Sequence, residues 1–198
     1  LNRGIRKSTG EWIKSIAGDD KLFTNCIESN IKYIISNQDV DFLFSRLEPF
    51  GKRDVFDKIE RRFQYGFFCL TPKQQYLRLL LKNAIPAPTA FIRRAVYSAV
   101  GLYNEEIPLM EDWPFWLKVL EKGYSLSFMN RVTVYYRVGN SLTTSEDYSV
   151  FYRQTVNLFE QLLNSYRSKE NVILRHYYKL CDKELNGKSF NLFVQQIA

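Results

Sequence analysis

Residues 111–138 constrain the fold more than any other stretch of the sequence, because a helical pattern passes there directly into an alternating one. Residues 111–124 carry acidic residues and a proline in the first turn, a lysine near the end and Gly123 as a stop, which is typical of a helix. Residues 125–138 then alternate between apolar and polar side chains, which predicts a long strand with one buried face. The chain must therefore adopt a fold that packs helices against strands.

The remainder of residues 1–145 repeats this mixture of strands and helices. A short strand is predicted to end at Gly18, and the apolar residues of 22–35 recur with the spacing of one helix face. The further predicted elements are a strand over 40–48, an irregular and mostly helical region over 52–83 with a helix start at Thr71 and Pro72, a short strand within 87–94, and a helix that Gly101 ends. This alternation indicates an α/β fold.

The last quarter of the chain has a different pattern. From residue 148 onward, apolar residues recur at three- and four-residue steps in two stretches, 151–166 and 173–181, which predicts helices. We therefore expect two parts: residues 1–145 with mixed strands and helices, and residues 146–198 as a helical C-terminal extension.

The composition argues against several classes of function. The net charge of +7 favours polyanionic partners, but the basic residues are scattered and carry no nucleic-acid-binding motif, so we expect no nucleic-acid partner. Three widely spaced cysteines without CxxC spacing argue against a zinc site. The single histidine, His176, excludes a histidine-dependent triad and a multi-histidine metal site within this chain. No apolar run approaches the length of a membrane span.

Two adjacent carboxylates, Asp19 and Asp20, follow Gly18 at a predicted strand-to-helix junction. Ligands of α/β sheets bind at the carboxyl ends of strands, and a Mg²⁺ or Mn²⁺ there can share carboxylates with phosphates and water. Acidic residues also cap helices, because the helix dipole favours negative charge at the N-terminus. The local stretch by itself favours the cap.

A second acidic pair, Glu111 and Asp112, precedes the predicted helix and lies beside Trp113 and Trp116. A carboxylate in a cleft can act as a general base toward a hydroxyl, and tryptophan faces suit sugar rings. Helix capping is again the simpler interpretation of the pair alone.

Arg137 lies at the end of the predicted long strand, just before a Gly-Asn turn. A guanidinium group in such a place can bind a phosphate through charge-assisted hydrogen bonds. A solvated arginine at a strand end explains the position equally well.

Three segments, in order and spacing, resemble the second half of the family-two glycosyltransferases: NRGIRKSTGEWIKSIAGDD, IPAPTAFIRRAVYSAVGLYNEEIPLMEDWPFWLKVLEKGY and VTVYYRVGNSLTT. The resemblance covers about residues 1–145. It implies a GT-A-like (nucleotide-diphospho-sugar transferase) α/β fold with a mixed sheet, truncated at the N-terminal half and followed by the C-terminal helical tail. Because the family's first half has no counterpart here, we expect part of a longer protein, inactive in isolation.

The resemblance also implies an activity, the transfer of a hexosyl or other glycosyl group from a nucleotide-diphosphate donor to an acceptor hydroxyl, usually with inversion. The acidic metal motif of the family falls on AGDD, where Ala17 stands in place of the first acid. Asp19 and Asp20 would then bind Mg²⁺ or Mn²⁺ and the donor diphosphate, with Arg137 beside them.

The later acidic pair of the family supplies the general base, which falls on Asp112. Glu111 and Trp113 would contact the acceptor. The expected partners are a nucleotide-sugar donor and a glycan or lipid-linked acceptor, in polysaccharide or cell-surface glycan biosynthesis. The expected location is cytoplasmic, with peripheral contact at the inner face of the membrane.

Two other interpretations stay open. The chain could be a non-catalytic carbohydrate- or partner-binding module on a transferase-like fold, which the absent first half and Ala17 both favour. A basic nucleic-acid binder ranks last.

Overall fold

The computed structural model describes residues 1–52, 56, 63, 65–81, 83, 85–107 and 110–139. Within these ranges, helices pack against one five-stranded mixed sheet, which agrees with the predicted α/β class. The helices predicted beyond residue 148, His176 and the predicted division at residues 145 and 146 lie outside the described residues. They stay predictions.

The helices and strands follow one another in a mixed order. The described helices are α1 (Asn2–Lys7), α2 (Cys26–Ser36), α3 (Pro72–Leu81), α4 (Arg94–Val100) and α5 (Asp112–Glu121). The described strands are β1 (Trp12–Lys14), β2 (Lys21–Leu22), β3 (Phe42–Gly51), β4 (Phe91–Arg93) and β5 (Ser127–Val138). Short 3₁₀ turns occur at Tyr65–Cys69 and Ala87–Thr89. None of the described helices combines the length and hydropathy that crossing a bilayer requires.

The strands lie in the order β1-β4-β3-β5-β2. Strands β3 and β5 run parallel and form the long centre of the sheet, whereas the other neighbouring pairs are antiparallel. The β3–β5 register shifts around Arg46, which marks a bulge. A parallel pair needs a crossover connection, and the segment that contains α3, β4, α4 and α5 supplies it here.

Aromatic side chains make much of the contact between helix α5 and strand β3. Phe42 and Phe44 are fully buried on β3, and the Trp116 ring meets both edge-on at centroid distances of 6.3 and 5.2 Å. On the same helix, Phe115 contacts Tyr103 at 4.5 Å. The high aromatic content of the chain is therefore in large part a packing feature.

Local signals placed several elements correctly. Helix α3 begins at Pro72, and Thr71 and Gln74 exchange capping hydrogen bonds of 3.0 and 3.4 Å. Gly101 and Gly123 follow α4 and α5 with φ angles of 100° and 85°, as helix-terminating glycines do. The strands predicted over 40–48 and 125–138 are confirmed with somewhat different ends, as β3 and β5.

The helix predicted over 22–35 was wrong at its start and on its buried face. Lys21 and Leu22 instead form strand β2, which pairs with β5, and the helix begins only at Cys26. Pairing with the edge of β5 overrides the helical spacing of this segment, because tertiary contacts outweigh local propensity. Four residues of the predicted buried face are exposed, Ile35 to 66%; the others are Leu22, Ile27 and Ile31.

Candidate functional site

Asp19 and Asp20 lie in the turn that joins β1 to β2. The Asp20 backbone N–H donates to the Ala17 carbonyl oxygen at 3.3 Å. The next helix begins six residues after Asp20, and Asn25 occupies its N-cap position. The prediction that either aspartate caps this helix was therefore wrong, and the acidic pair needs another explanation.

Arg137, near the end of β5, contacts the acidic turn. Its backbone N–H donates to Asp20 Oδ1 at 2.8 Å, and its Nε donates to the Asp19 carbonyl oxygen at 3.0 Å. Its guanidinium group lies over the Phe50 ring, 4.7 Å from the centroid. The structure thus brings Arg137 to the predicted acidic pair, from which it is separated by about 117 positions in the chain.

The two carboxylates of the turn differ in their surroundings. Asp19 is exposed, whereas Asp20 is half-buried and its Oδ2 is buried without a hydrogen-bond partner. Burial raises the pKa of Asp20; the hydrogen bond from the Arg137 backbone opposes this shift, and the charge of Asp19 adds to it. A buried carboxylate oxygen without a partner is energetically costly, so a cation or a proton at this position would stabilise it.

The donor set fits a divalent cation that takes most of its ligands from elsewhere. Mg²⁺ commonly binds one or two carboxylates and completes its shell with water and substrate phosphates. Among the residues that the structure describes, no group of three His, Cys, Asp or Glu side chains is placed to bind a metal. Asp19 and Asp20 would therefore be the side-chain ligands that this part of the chain offers.

Lys14, at the end of β1, is a charged residue near this turn that the sequence analysis missed. Its Nζ donates to the carbonyl oxygens of Pro88 and Ala90, the latter at 3.2 Å. Burial lowers the pKa of Lys14 to about 8, although the charges of Cys26 and Asp20 act in the opposite direction. The available signal was a lysine inside an otherwise apolar strand, WIKSI.

Asp112 is the first residue of α5 and contacts a side chain from the α3–β4 connection. Asn83 Nδ2 donates to Asp112 Oδ2 at 3.0 Å. The preceding residue, Glu111, occupies the N-cap position but makes no capping hydrogen bond with its side chain. Burial raises the pKa of Glu111, and the adjacent charge of Asp112 raises it further. Capping by Glu111, the simpler interpretation of this pair, is therefore not what the structure shows.

Trp113 has a packing role, contrary to the prediction that it contacts an acceptor. Its side chain is only 7% exposed, and its indole Nε1 donates to the Leu79 carbonyl oxygen in α3 at 2.7 Å. A ring face enclosed in this way is not available to a sugar. The spacing of aromatic residues in α5 reflects contact with α3 and β3, and not a stacking platform.

One chain segment, residues 83–90 without the undescribed residue 84, contacts both Asp112 and Lys14. Asn83 contacts Asp112 at one end, and the carbonyl groups of Pro88 and Ala90 contact Lys14 at the other. Between them, Thr89 Oγ1 accepts from the Ser45 backbone N–H at 3.2 Å. Hydrogen bonds therefore tie this segment to β1, β3 and α5 together.

Several known proteins are similar to this chain, although no protein-family profile matches it. An uncharacterised glycosyltransferase of Rickettsia typhi is 25% identical over 155 residues, 73% of this chain and 45% of that protein. An uncharacterised glycosyltransferase of Methanocaldococcus jannaschii is 20% identical over 140 residues, 70% of this chain and 46% of that protein. A PGL/p-HBAD biosynthesis glycosyltransferase of Mycobacterium bovis is 26% identical over 116 residues, 58% of this chain and 40% of that protein.

The crystal structure of S. aureus TarS 1-349 superposes with a TM-score of 0.56 at 16% identity, covering 85% of this chain and 45% of TarS 1-349. The GT-A-like glycosyltransferase resemblance is confirmed. At this identity, the likeness to TarS shows the fold alone. The chain spans about half the length of the curated relatives it matches, so the GT-A-like fold seen here is partial.

Proposed function

We propose that the protein is a glycosyltransferase that moves a sugar from a nucleotide-diphosphate donor to an acceptor hydroxyl with inversion. The observation that carries this proposal is the meeting of Asp19, Asp20 and Arg137 at one turn of a GT-A-like fold. Carboxylates that suit a divalent cation, beside a guanidinium group, form the kind of site that a diphosphate requires.

The acidic turn would serve the leaving group. Asp19 and Asp20 would bind Mg²⁺ or Mn²⁺, which when bound supplies positive charge to the diphosphate as it departs. Arg137 would add a fixed positive charge beside them, since its position is set by two hydrogen bonds and the Phe50 ring. The hydrogen bond from the Arg137 backbone to Asp20 holds the acidic turn against β5.

Asp112 would act on the acceptor as the general base. It lies at the N-terminus of α5, where the helix dipole stabilises a carboxylate in its ionised form. The carboxylate takes the proton of the acceptor hydroxyl, the hydroxyl oxygen bonds to the anomeric carbon, and the bond to the diphosphate breaks on the opposite face. Glu111, half-buried next to it, would contact the acceptor.

The partners follow from this reaction and from the relatives. The donor is a nucleotide sugar, and the acceptor is a glycan or a lipid-linked glycan. The name of the mycobacterial relative refers to PGL/p-HBAD biosynthesis, which supports a role in cell-surface glycan or polysaccharide synthesis. We place the protein in the cytoplasm, in peripheral contact with the inner face of the membrane.

A second candidate is a carbohydrate- or partner-binding module that performs no transfer. Ala17 in the acidic motif, and the lack of a three-ligand metal group among the described residues, favour it. The two candidates differ in whether donor is consumed.

The test uses the full-length natural protein with a panel of nucleotide sugars, and measures release of the nucleotide diphosphate with Mg²⁺, with Mn²⁺ and with a chelator. We expect metal-dependent turnover of at least one donor, and Asp19→Ala and Asp112→Asn should each lower it at least about 100-fold. Asp39→Asn, at an exposed aspartate in the α2–β3 loop, is the matched control and should retain turnover. Absence of turnover with every donor, together with glycan binding that survives both substitutions, would establish the binding module instead.

A further inference from the structure

The side chain of Asn83 is held in a defined orientation by the backbone of a nearby residue, Ile85. Its Oδ1 accepts a hydrogen bond from the Ile85 backbone N–H at 3.2 Å, two residues further along the chain. This is the turn that asparagine side chains commonly form with the following backbone. Because Oδ1 faces an N–H donor, the amide cannot be flipped without losing this bond, and Nδ2 must point the other way.

The other side of the amide meets Asp112. Asn83 Nδ2 donates to Asp112 Oδ2 at 3.0 Å across 29 positions of sequence. The contact does not depend on one bond alone, since the indole of Trp113 also donates to the Leu79 carbonyl oxygen near the end of α3. The end of α3 and the first turn of α5 are therefore also hydrogen-bonded to each other, next to the Asn83–Asp112 pair.

We propose that Asn83 is a positioning residue for the Asp112 base, an inference that rests on the proposed glycosyl transfer. A donor on Oδ2 restricts rotation of the carboxylate and stabilises its ionised form. The amide is neutral, so it orients Asp112 without the strong loss of basicity that a paired lysine or arginine would cause. Two described titratable groups, Glu111 and Tyr103, feel the charge of Asp112, and neither offers this fixed amide donor.

The decisive variant is Asn83→Asp, because it separates the two roles of the side chain. The new carboxylate retains an oxygen that accepts from the Ile85 N–H, so the local turn persists. The donor to Asp112 is replaced by an oxygen of like charge. Asn104→Asp is the matched control, since Asn104 Oδ1 accepts from the Glu106 N–H at 2.9 Å in the same kind of turn, elsewhere on the surface.

The measurement is the pH profile of donor turnover by the full-length protein with its acceptor. For Asn83→Asp we expect kcat to fall about 10- to 100-fold, because a displaced base loses its near-attack geometry. The acidic limb of kcat/KM should move upward by about one pH unit, because a like charge disfavours the ionised base. Asn104→Asp should leave both quantities unchanged.

A double-variant cycle covers the case in which Asn83→Asp also lowers stability. If Asn83 acts through Asp112, then Asn83→Ala combined with Asp112→Asn loses no more turnover than Asp112→Asn alone. Additive losses, or a wild-type pH profile for Asn83→Asp, would overturn the positioning role while the transferase function stands. Full turnover by Asp112→Asn itself would instead remove the assignment of the base, and the inference with it.

Discussion

The burial of Lys14 predicts that the stability of the folded protein depends on pH. Its ammonium group is mostly buried and donates to two backbone carbonyl groups, and burial lowers its pKa from 10.5 to about 8. Below pH 8 the group is protonated in both the folded and the unfolded chain, so the cost of burying the charge is fully present. Between pH 8 and 10.5 the unfolded chain binds more protons than the folded chain, so stability rises with pH.

The two pKa values set the size of the effect. The difference of 2.5 units corresponds to about 3 kcal/mol over the whole range. About 2 kcal/mol of this should appear between pH 8 and pH 10. Tyr97 acts in the opposite sense, because burial raises its pKa to about 12 and so reduces stability as the pH rises above 10. The useful window therefore ends at pH 10.

The assay is urea unfolding of the full-length protein in metal-free buffer at pH values from 7 to 10. The free energy of unfolding of wild type should rise relative to that of Lys14→Met by about 2 kcal/mol between pH 8 and pH 10. Lys7→Met, at an exposed lysine of α1, is the control for loss of one positive charge. Parallel curves for wild type and Lys14→Met would refute the reasoning and indicate that water reaches the Lys14 ammonium group.

Two further predictions concern the backbone. Gly51→Ala should lower the free energy of unfolding by at least about 2 kcal/mol, because Gly51 has a φ angle of 110° and a Cβ there would clash with the Val138 carbonyl oxygen. The matched control is Gly4→Ala, in helix α1 with open space around it. In the same urea titration this control should be neutral or stabilising by up to about 1 kcal/mol. Gln75→Leu should lower the free energy of unfolding by about 2–4 kcal/mol, because the fully buried Gln75 amide hydrogen-bonds both the N–H and the carbonyl of Leu126, at 3.2 and 3.1 Å. Thermal unfolding measures this loss, and an unchanged circular dichroism spectrum of the folded variant shows that the fold is retained. A loss below about 0.5 kcal/mol for either Gly51→Ala or Gln75→Leu would contradict these contacts.

Features of the fold that depend on neighbouring residues were predictable from the sequence. The start of α3 is encoded in Thr71, Pro72 and Gln74, which lie within four positions. The ends of α4 and α5 are encoded in Gly101 and Gly123, whose positive φ angles only glycine adopts readily. Such signals need no knowledge of the rest of the chain.

Features that depend on distant partners were not predictable. Leu22 carries the spacing of a helix face but pairs with Val134 of β5. Burial of Lys14 depends on carbonyl groups more than 70 positions away. The role of Asn83 likewise depends on a contact across the α3–α5 interface, so a polar residue in a loop gave no sign of it. Trp113 was misjudged because a tryptophan beside two acids looks the same in sequence whether its ring is buried or exposed.

The candidate site was predictable in its residues and not in its contacts. The acidic turn and Arg137 were singled out separately, and only the β2–β5 pairing explains why they meet. Because the Arg137 backbone bonds Asp20, the turn position depends on the sheet and not on a helix start.

The most direct test of the account compares donor binding with donor turnover in Asp112→Asn. The full-length variant would be titrated with the nucleotide sugar that wild type consumes, by calorimetry in the presence of the preferred metal, and then assayed for release of the diphosphate. We expect the dissociation constant to stay within about threefold of wild type and kcat to fall at least about 100-fold, because a general base acts in the transition state and not in donor binding. Unchanged turnover, or a loss explained entirely by weaker donor binding, would contradict the assignment of Asp112 as the catalytic base.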